Sequence, residues 1–149
     1  DRAVSLESIA GQVLIAGLPA GAAPTPSREA IAQGGLGGII LFRRNVDAGP
    51  RATLEFLADL IGHAAEPILI AVDQEGGRVA RLREEVITLP PMRALAARGD
   101  VALTRTAARV LGHQLRAIGF TMNMAPVLDV DTNPANPVIG DRAFGTTPE

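Results

Sequence analysis

The feature that most constrains the fold is a short apolar run, Ile68 to Val72, that ends directly at a polar loop. A run of mostly branched residues, too short for a stand-alone helix, is typical of a strand buried on both faces. The loop reads Asp-Gln-Glu-Gly-Gly-Arg-Val-Ala-Arg from Asp73 to Arg81. A buried strand that stops at a carboxylate, a glycine pair and arginines is typical of an α/β enzyme.

Similar runs alternate with helical patterns along the rest of the chain. Predicted strands cover residues 13–17, 38–42, 68–72 and 120–124; predicted helices run over residues 6–11, 27–33, from Pro50 to Gly62, and between Asp100 and Gly119. In the last helix one apolar face is expected, formed by Leu103, Ala107, Val110, Leu111, Leu115 and Ile118. Residues 84–99 should be extended with at most one helical turn, and residues 125–149, with four prolines, should form a long loop.

Four buried strands joined by helical crossovers predict a parallel α/β sheet, because parallel neighbours need long connections. An open doubly wound sheet and part of a (β/α)8 TIM barrel both satisfy this pattern. Polar clusters follow three successive strands, at Arg43-Arg44-Asn45, Asp73 to Arg81, and Asp129 to Arg142. Polar groups that converge from several strand ends favour the barrel.

Composition narrows the class of partner. The 149 residues include no cysteine, so disulfides and thiolate metal sites are excluded. The net charge is -2 and basic and acidic residues are interleaved, so the sequence shows no basic patch for binding nucleic acid or an anionic membrane. No apolar run approaches the ~20 residues that cross a bilayer. We expect a small-molecule partner and a cytoplasmic location, although the composition fits an exported protein equally and a segment before Asp1 could have been removed.

No metal or other cofactor is expected. The run from Asp129 to Asn133 lacks the glycine and closing glutamate of an EF-hand, so Asx turns that stabilise the loop are the expectation there. His63 ends a predicted helix and His113 lies inside one, and we expect both to be surface or packing residues.

Four segments resemble glycoside hydrolase family 3, in its β-N-acetylglucosaminidase branch. They are Ala-Val-Asp-Gln-Glu-Gly-Gly-Arg-Val at 71–79, Gly-Gly-Ile-Ile-Leu-Phe-Arg-Arg-Asn at 37–45, Asn-Met-Ala-Pro-Val-Leu-Asp-Val at 123–130, and Val-Ile-Gly-Asp-Arg-Ala-Phe-Gly at 138–145. The resemblance runs over essentially the whole chain in the family's order.

The resemblance implies that residues 1–149 are the N-terminal part of one (β/α)8 barrel domain, with roughly its first four strands. It implies an enzyme that removes terminal β-linked N-acetylglucosamine with retention, through a covalent intermediate, from muropeptides of cell-wall recycling. The family's carboxylate nucleophile and acid/base histidine would lie beyond Glu149. We therefore expect this chain alone to be inactive.

By the same resemblance, Asp73, Arg81 and Arg142 are the expected substrate-binding residues. Each also has a structural interpretation. Asp73 could cap the following turn, Arg81 could pair with Glu84 or Glu85, and Arg142 could pair with Asp141 or Asp129.

Neighbouring residues of the polar loop have other expected roles. Asp73 and Glu75 are not expected to be the catalytic pair, because two carboxyl groups on one tight loop do not flank a scissile bond. Glu75 should pair with an arginine or a backbone amide, and Arg78 should form a framework ion pair. Gly76 and Gly77 permit close approach of a sugar ring, an unfavourable φ or a plain tight turn.

Two alternatives to the leading function remain. One keeps the family and changes the sugar, to a β-glucosidase or β-xylosidase, although the short Asp-Gln-Glu-Gly-Gly-Arg-Val form argues against it. The other is a non-catalytic half-barrel that binds sugar or self-associates, since four strands of an eight-stranded barrel leave two unpaired edges.

Overall fold

The computed structural model describes residues 5–21 and 23–148. Its helices are α1 Leu6–Gln12, α2 Thr25–Ala32, α3 Arg43–Val46, α4 Pro50–Ile61, α5 Met92–Ala96 and α6 Val101–Ile118. Its strands are β1 Ile15–Gly17, β2 Gly38–Leu41, β3 Leu69–Val72, β4 Gln74–Gly76, β5 Val79–Ala80 and β6 Met122–Asn123, and a 3-10 turn spans Gly140–Arg142. The predicted helices and main strands are confirmed in type and order, with β1 and β6 shorter than predicted.

The main sheet has the order β1-β2-β3-β6, and every neighbouring pair is parallel. A doubly wound sheet reverses its strand order at a switch point, whereas a barrel places each strand beside the next one along the chain. This sheet follows the barrel order without a reversal and is open. The fold is therefore the α/β architecture of a partial (β/α)8 barrel, as expected.

Helix ends follow the capping residues in the sequence. The Ser5 hydroxyl accepts the amide of Ser8 at the start of α1 (3.2 Å), and the Asp100 carboxylate accepts the amide of Leu103 at the start of α6 (2.8 Å). Gly119 ends α6 with φ of +111°, a conformation that strains residues with a side chain. These local signals place the helices without help from tertiary contacts.

The core lies between the central strands and helices α4 and α6. Its fully buried members include Ile39, Leu41, Ile70, Val72, Leu57 and Leu60, joined by Leu111, Leu115 and Ile118 of α6. The predicted apolar face of α6 is confirmed for Ala107, Leu111, Leu115 and Ile118, which lie in the core or pack against it. The prediction is wrong for Leu103 and Val110, since each is 42% exposed.

Three local structures differ from the sequence prediction. Arg43 to Val46 form a helical turn, in which the Asn45 side chain accepts the Phe42 amide (3.0 Å). The loop after β3 is an antiparallel hairpin of β4 and β5. The segment 84–99 contains α5, whose five residues make a little more than one helical turn. Residues 125–148 form the long loop that the sequence predicts, and this loop contains the 3-10 turn. Glu149 lies outside the described residues.

We expect Asp100→Ala to lower the free energy of unfolding by about 1 kcal/mol, because the Leu103 amide loses its capping acceptor. Urea unfolding followed by circular dichroism measures this change. Asp100→Asn keeps an acceptor oxygen and serves as the control, so equal destabilisation by both substitutions would contradict the capping role.

Candidate functional site

The candidate site lies at the carboxyl edge of the parallel sheet. Val72 ends β3, and Asp73 alone separates it from the hairpin of β4 and β5. In the parallel register, Leu41 of β2 stands beside Val72 and Asn123 of β6 stands on its other side. Residues that directly follow these strands therefore meet at one edge, where barrel enzymes place their chemistry.

The first ion pair of the site joins Asp73 and Arg81, with 2.7 Å between Asp73 Oδ2 and Arg81 Nη2. Their side chains are 20% and 27% exposed, so the pair is accessible from solvent. Asp73 Oδ1 makes no hydrogen bond to any residue in the described part of the chain. The expected alternative partners of Arg81, Glu84 and Glu85, are wrong, because the hairpin turns the guanidinium back over β3.

Phe42 links this ion pair to a second arginine. The centroid of its ring lies 5.8 Å from the guanidinium carbon of Arg81 and 4.8 Å from that of Arg44. Arg44 is held by a hydrogen bond from Nε to the Leu18 carbonyl (3.0 Å). Arg81 Nε is buried without a hydrogen-bond partner among residues 5–21 and 23–148, so packing on Phe42 is the main contact of that side of the guanidinium.

The second ion pair of the site is bidentate. Arg142 Nε and Nη2 donate to the two carboxylate oxygens of Glu75 at 2.9 and 2.8 Å, and Glu75 is only 5% exposed. Glu75 therefore pairs with an arginine, as expected. The expected structural partners of Arg142, Asp129 and Asp141, are wrong, because the 3-10 turn points the guanidinium at the hairpin.

Arg142 is bound to Glu75, which lies two residues after Asp73 in the chain. Hydrogen bonding to Glu75 raises the pKa of Arg142 against the opposing effect of burial, and attraction to Glu75, Asp129 and Asp73 raises it further. Nη1 also donates to the Val138 carbonyl (3.1 Å), so three of the five N–H groups of Arg142 have partners. The three expected binding residues therefore share one site, and two N–H groups of Arg142 are available to a ligand.

Arg78 has the structural role expected of it. Its guanidinium lies 3.5 Å from a carboxylate oxygen of Asp141 and donates to three successive carbonyls, those of Pro137, Val138 and Ile139, at 3.1, 2.7 and 2.9 Å. Arg78 therefore holds the loop that carries Arg142.

The glycine pair forms a tight turn against the chain itself. Gly76 and Gly77 have φ of +118° and +54°, so the positive-φ interpretation is confirmed. A Cβ on Gly76 would lie 2.6 Å from the Pro90 carbonyl oxygen, and one on Gly77 would lie 2.9 Å from Pro91 Cβ. The group that approaches the glycines is the segment of residues 89–91, so the interpretation as space for a sugar ring is wrong.

Sequence reasoning missed Gln74 and Asn123. The Gln74 carboxamide is 1% exposed and accepts the amides of Arg81 and Leu82, while the Asn123 side chain binds the Gln74 backbone. The sequence did not draw attention to Gln74, because it is an uncharged residue between two carboxylates. Asn123 could have been noticed, because a polar side chain inside an apolar strand needs a hydrogen-bond partner.

The remaining polar candidates are structural. Asp131 pairs with Arg93 (3.1 Å), and the Asn133 side chain accepts the amide of Ala135 in an Asx turn (3.0 Å), as expected for this loop. His113 is exposed, and the exposed ring of His63 contacts the Asp59 carbonyl. Within the described ranges no group of three His, Cys, Asp or Glu side chains could hold a metal ion.

No helix among the described residues has the length and apolar character needed to span a bilayer.

Known proteins resemble the chain in sequence and in structure. Residues 6–149 match the family model described as the glycosyl hydrolase family 3 N terminal domain. A beta-hexosaminidase of Methylococcus capsulatus is 43% identical over 125 residues, which cover 82% of this chain and 36% of the relative. A beta-hexosaminidase of Bordetella avium is 47% identical over 122 residues, covering 76% of this chain and 34% of the relative.

Solved structures agree with the sequence comparisons. A glycoside hydrolase family 3 beta-N-acetylglucosaminidase from Paenibacillus superposes with a TM-score of 0.90 at 43% identity, covering 98% of this chain and 28% of that protein. Native NagZ from Neisseria gonorrhoeae superposes with a TM-score of 0.78 at 32% identity, covering 91% of this chain and 41% of that protein. The chain spans about a third of the length of the curated relatives it matches, and it belongs to glycoside hydrolase family 3.

Proposed function

We propose that this chain supplies part of the subsite for the terminal sugar in an enzyme that hydrolyses β-linked N-acetylglucosamine from non-reducing ends. The observation that carries the proposal is the Asp73–Arg81 ion pair, which is partly exposed at the carboxyl edge of the sheet, where Glu75 binds Arg142. Relatives named beta-hexosaminidase and beta-N-acetylglucosaminidase support the choice of sugar.

The chemistry of the ion pair suits a neutral sugar. Asp73 Oδ1 is free to accept a hydrogen bond from a hydroxyl, and an ionised carboxylate accepts two such donors well. Arg81 and Arg142 present N–H donors to the lone pairs of neighbouring oxygens. Adjacent hydroxyls of a pyranose offer both kinds of partner, so one sugar ring can engage all three side chains.

Asp73 and Glu75 are each held in an ion pair with an arginine. Both oxygens of Glu75 are bound by Arg142 in a buried position, and Asp73 is paired with Arg81. On the family resemblance, we place the nucleophile and the acid/base histidine of a retaining mechanism in a part of the parent enzyme outside these 149 residues. The proposed natural substrates are muropeptides that carry terminal N-acetylglucosamine, and the proposed compartment is the cytoplasm.

We predict that Asp73→Asn weakens binding of N-acetylglucosamine at least about tenfold, because the neutral amide loses the charge-assisted hydrogen bonds and disrupts the pair with Arg81. A saturation-transfer NMR titration measures the affinity. Asp59→Asn is the matched control, since Asp59 forms an ion pair of 2.6 Å with Arg28 on another surface.

Unchanged affinity in Asp73→Asn, or an equal loss in the control, would contradict the sugar contact. A titration with glucose and xylose separates the alternative sugars, because a glucosidase or xylosidase site would bind one of them as tightly as N-acetylglucosamine.

The chain alone should release no 4-nitrophenol from 4-nitrophenyl N-acetyl-β-glucosaminide above the uncatalysed rate, because its hairpin carboxylates are both engaged by arginines. The assay is absorbance at the nitrophenolate band. Turnover that copurifies with the chain and disappears in Asp73→Asn or Glu75→Gln would show that this hairpin itself holds catalytic groups.

A second proposal concerns partners. In the described part of the chain β1 pairs only with β2, and β6 pairs only with β3. Apolar side chains are exposed beside both edges: Leu14 and Ile15 at β1, and Met124 and Leu128 at β6. A cavity of about 450 Å³ between α5, α6 and the loop after β6 adds apolar surface from Leu95, Val101, Pro126 and Phe144. We propose that these edges make the isolated chain self-associate.

Size-exclusion chromatography with light scattering should therefore show species larger than the 15.5 kDa monomer. Leu128→Asp should increase the monomer fraction, because Leu128 is 83% exposed in the loop that follows β6. Leu54→Asp is the control, since Leu54 is 43% exposed on α4 away from the edges. A compact, well-folded monomer of the unmodified chain would overturn this proposal.

A further inference from the structure

We infer that Gln74 is a positioning residue for the sugar subsite, whose buried carboxamide fixes the Arg81 backbone so that the Arg81 guanidinium meets Asp73. The inference deepens the proposed function and rests on it. Gln74 does not itself contact a ligand in this proposal, since its side chain is 1% exposed and directed into the hairpin.

The carboxamide of Gln74 uses both of its polar atoms within the hairpin. Oε1 accepts the amides of Arg81 (2.8 Å) and Leu82 (3.0 Å), and Nε2 donates to the Leu82 carbonyl (2.7 Å). Three hydrogen bonds from one side chain leave the backbone at residues 81 and 82 little freedom.

The hairpin needs the Gln74 side chain because the backbone pairing of β4 and β5 ends at Ala80. β5 stops at Ala80, and the register shifts between Gln74 and Gly76, so the amides of Arg81 and Leu82 lie beyond the last strand pair. Buried amides without partners are costly. The Gln74 carboxamide supplies the acceptor that a longer strand would have supplied.

Gln74 is fixed in turn by β6. The backbone N–H of Gln74 donates to Asn123 Oδ1 (3.0 Å), and the backbone carbonyl of Gln74 accepts from Asn123 Nδ2 (3.0 Å). Asp73 directly precedes Gln74, so the same anchored segment holds both ends of the ion pair. Asp73 is joined to Gln74 by a peptide bond, and the backbone amide of Arg81 is hydrogen-bonded to the Gln74 carboxamide.

The substitution Gln74→Glu tests the inference because it replaces the amide NH2 group with a carboxyl oxygen at almost unchanged volume. A protonated carboxyl reproduces all three hydrogen bonds, whereas an ionised one cannot donate to the Leu82 carbonyl and repels it. Burial favours the neutral form of the introduced acid, and so would the nearby carboxylates of Asp73 and Glu75. The nearby cations Arg81, Arg142 and Arg105 of α6 oppose that preference.

We expect Gln74→Glu to weaken N-acetylglucosamine binding at least about tenfold at about pH 7.5, and to recover most of the affinity at about pH 5, where the carboxyl is protonated. The sugar has no titrating group in this range. The measurements are saturation-transfer NMR titrations at both pH values and hydrogen exchange by mass spectrometry of the peptide that contains Arg81 and Leu82. Compared with the unmodified chain at the same pH, exchange there should be faster in the variant at the higher pH and equal at the lower one.

Two matched variants separate positioning from general stability. Gln114→Glu is the control, since Gln114 Oε1 also accepts a backbone amide, that of Ile87 (2.8 Å), outside the site. Asn123→Asp should reproduce the loss of affinity, because a carboxylate cannot donate to the Gln74 carbonyl. This second variant keeps the test decisive if Gln74→Glu does not fold at the higher pH.

Unchanged affinity in both Gln74→Glu and Asn123→Asp, or a loss in Gln74→Glu that does not recover at the lower pH, overturns the inference. Equal effects of Gln114→Glu overturn it as well. If the unmodified chain does not bind N-acetylglucosamine, the proposed function fails and the sugar-directed role of Gln74 fails with it. The hydrogen-exchange data then still decide whether Gln74 fixes the Arg81 backbone.

Discussion

The arrangement of the site depends on the buried ion pair between Glu75 and Arg142. It joins the hairpin after β3 to a loop 67 residues later in the chain, and Glu75 is only 5% exposed. A buried pair of this kind adds little net stability relative to a well-packed apolar pair, but loss of one partner costs about 3–5 kcal/mol. Its main effect is therefore on geometry, since it fixes the long loop against the strand ends.

Similar pairing extends over the whole carboxyl edge. Four carboxylates there each have an arginine: Asp73 with Arg81, Glu75 with Arg142, Asp131 with Arg93 and Asp141 with Arg78. These four arginines are each neutralised by a carboxylate while the pairs keep many directional donors and acceptors. Such a surface suits a neutral, hydroxyl-rich ligand better than a phosphate or a nucleic acid, which would require excess positive charge.

Local signals predicted the regular elements, whereas the contacts of the site required the tertiary structure. Ser5, Asp100 and Gly119 act at the helix ends where their side-chain chemistry or backbone freedom predicts. The partners of Arg81 and Arg142 were not predictable, because several carboxylates lie near each arginine in sequence and the hairpin and 3-10 turn choose among them. The exposed positions on the predicted apolar face of α6 were missed for a similar reason, since periodicity marks an apolar face without showing what covers it.

The carboxyl edge of the sheet and its two lateral edges differ in how many of their groups contact other described residues. At the carboxyl edge, hydrogen bonds and ion pairs join the hairpin to β6 and to the loop that carries Arg142, and the Asp73–Arg81 pair is formed. At the lateral edges, backbone groups of β1 and β6 and the apolar side chains beside them face no partner within the described ranges. Hydrogen-bonded geometry is local and directional, whereas burial of apolar surface requires a covering layer. The ion pairs and hydrogen bonds of the carboxyl edge therefore form in a sheet whose lateral edges are not covered by other described residues.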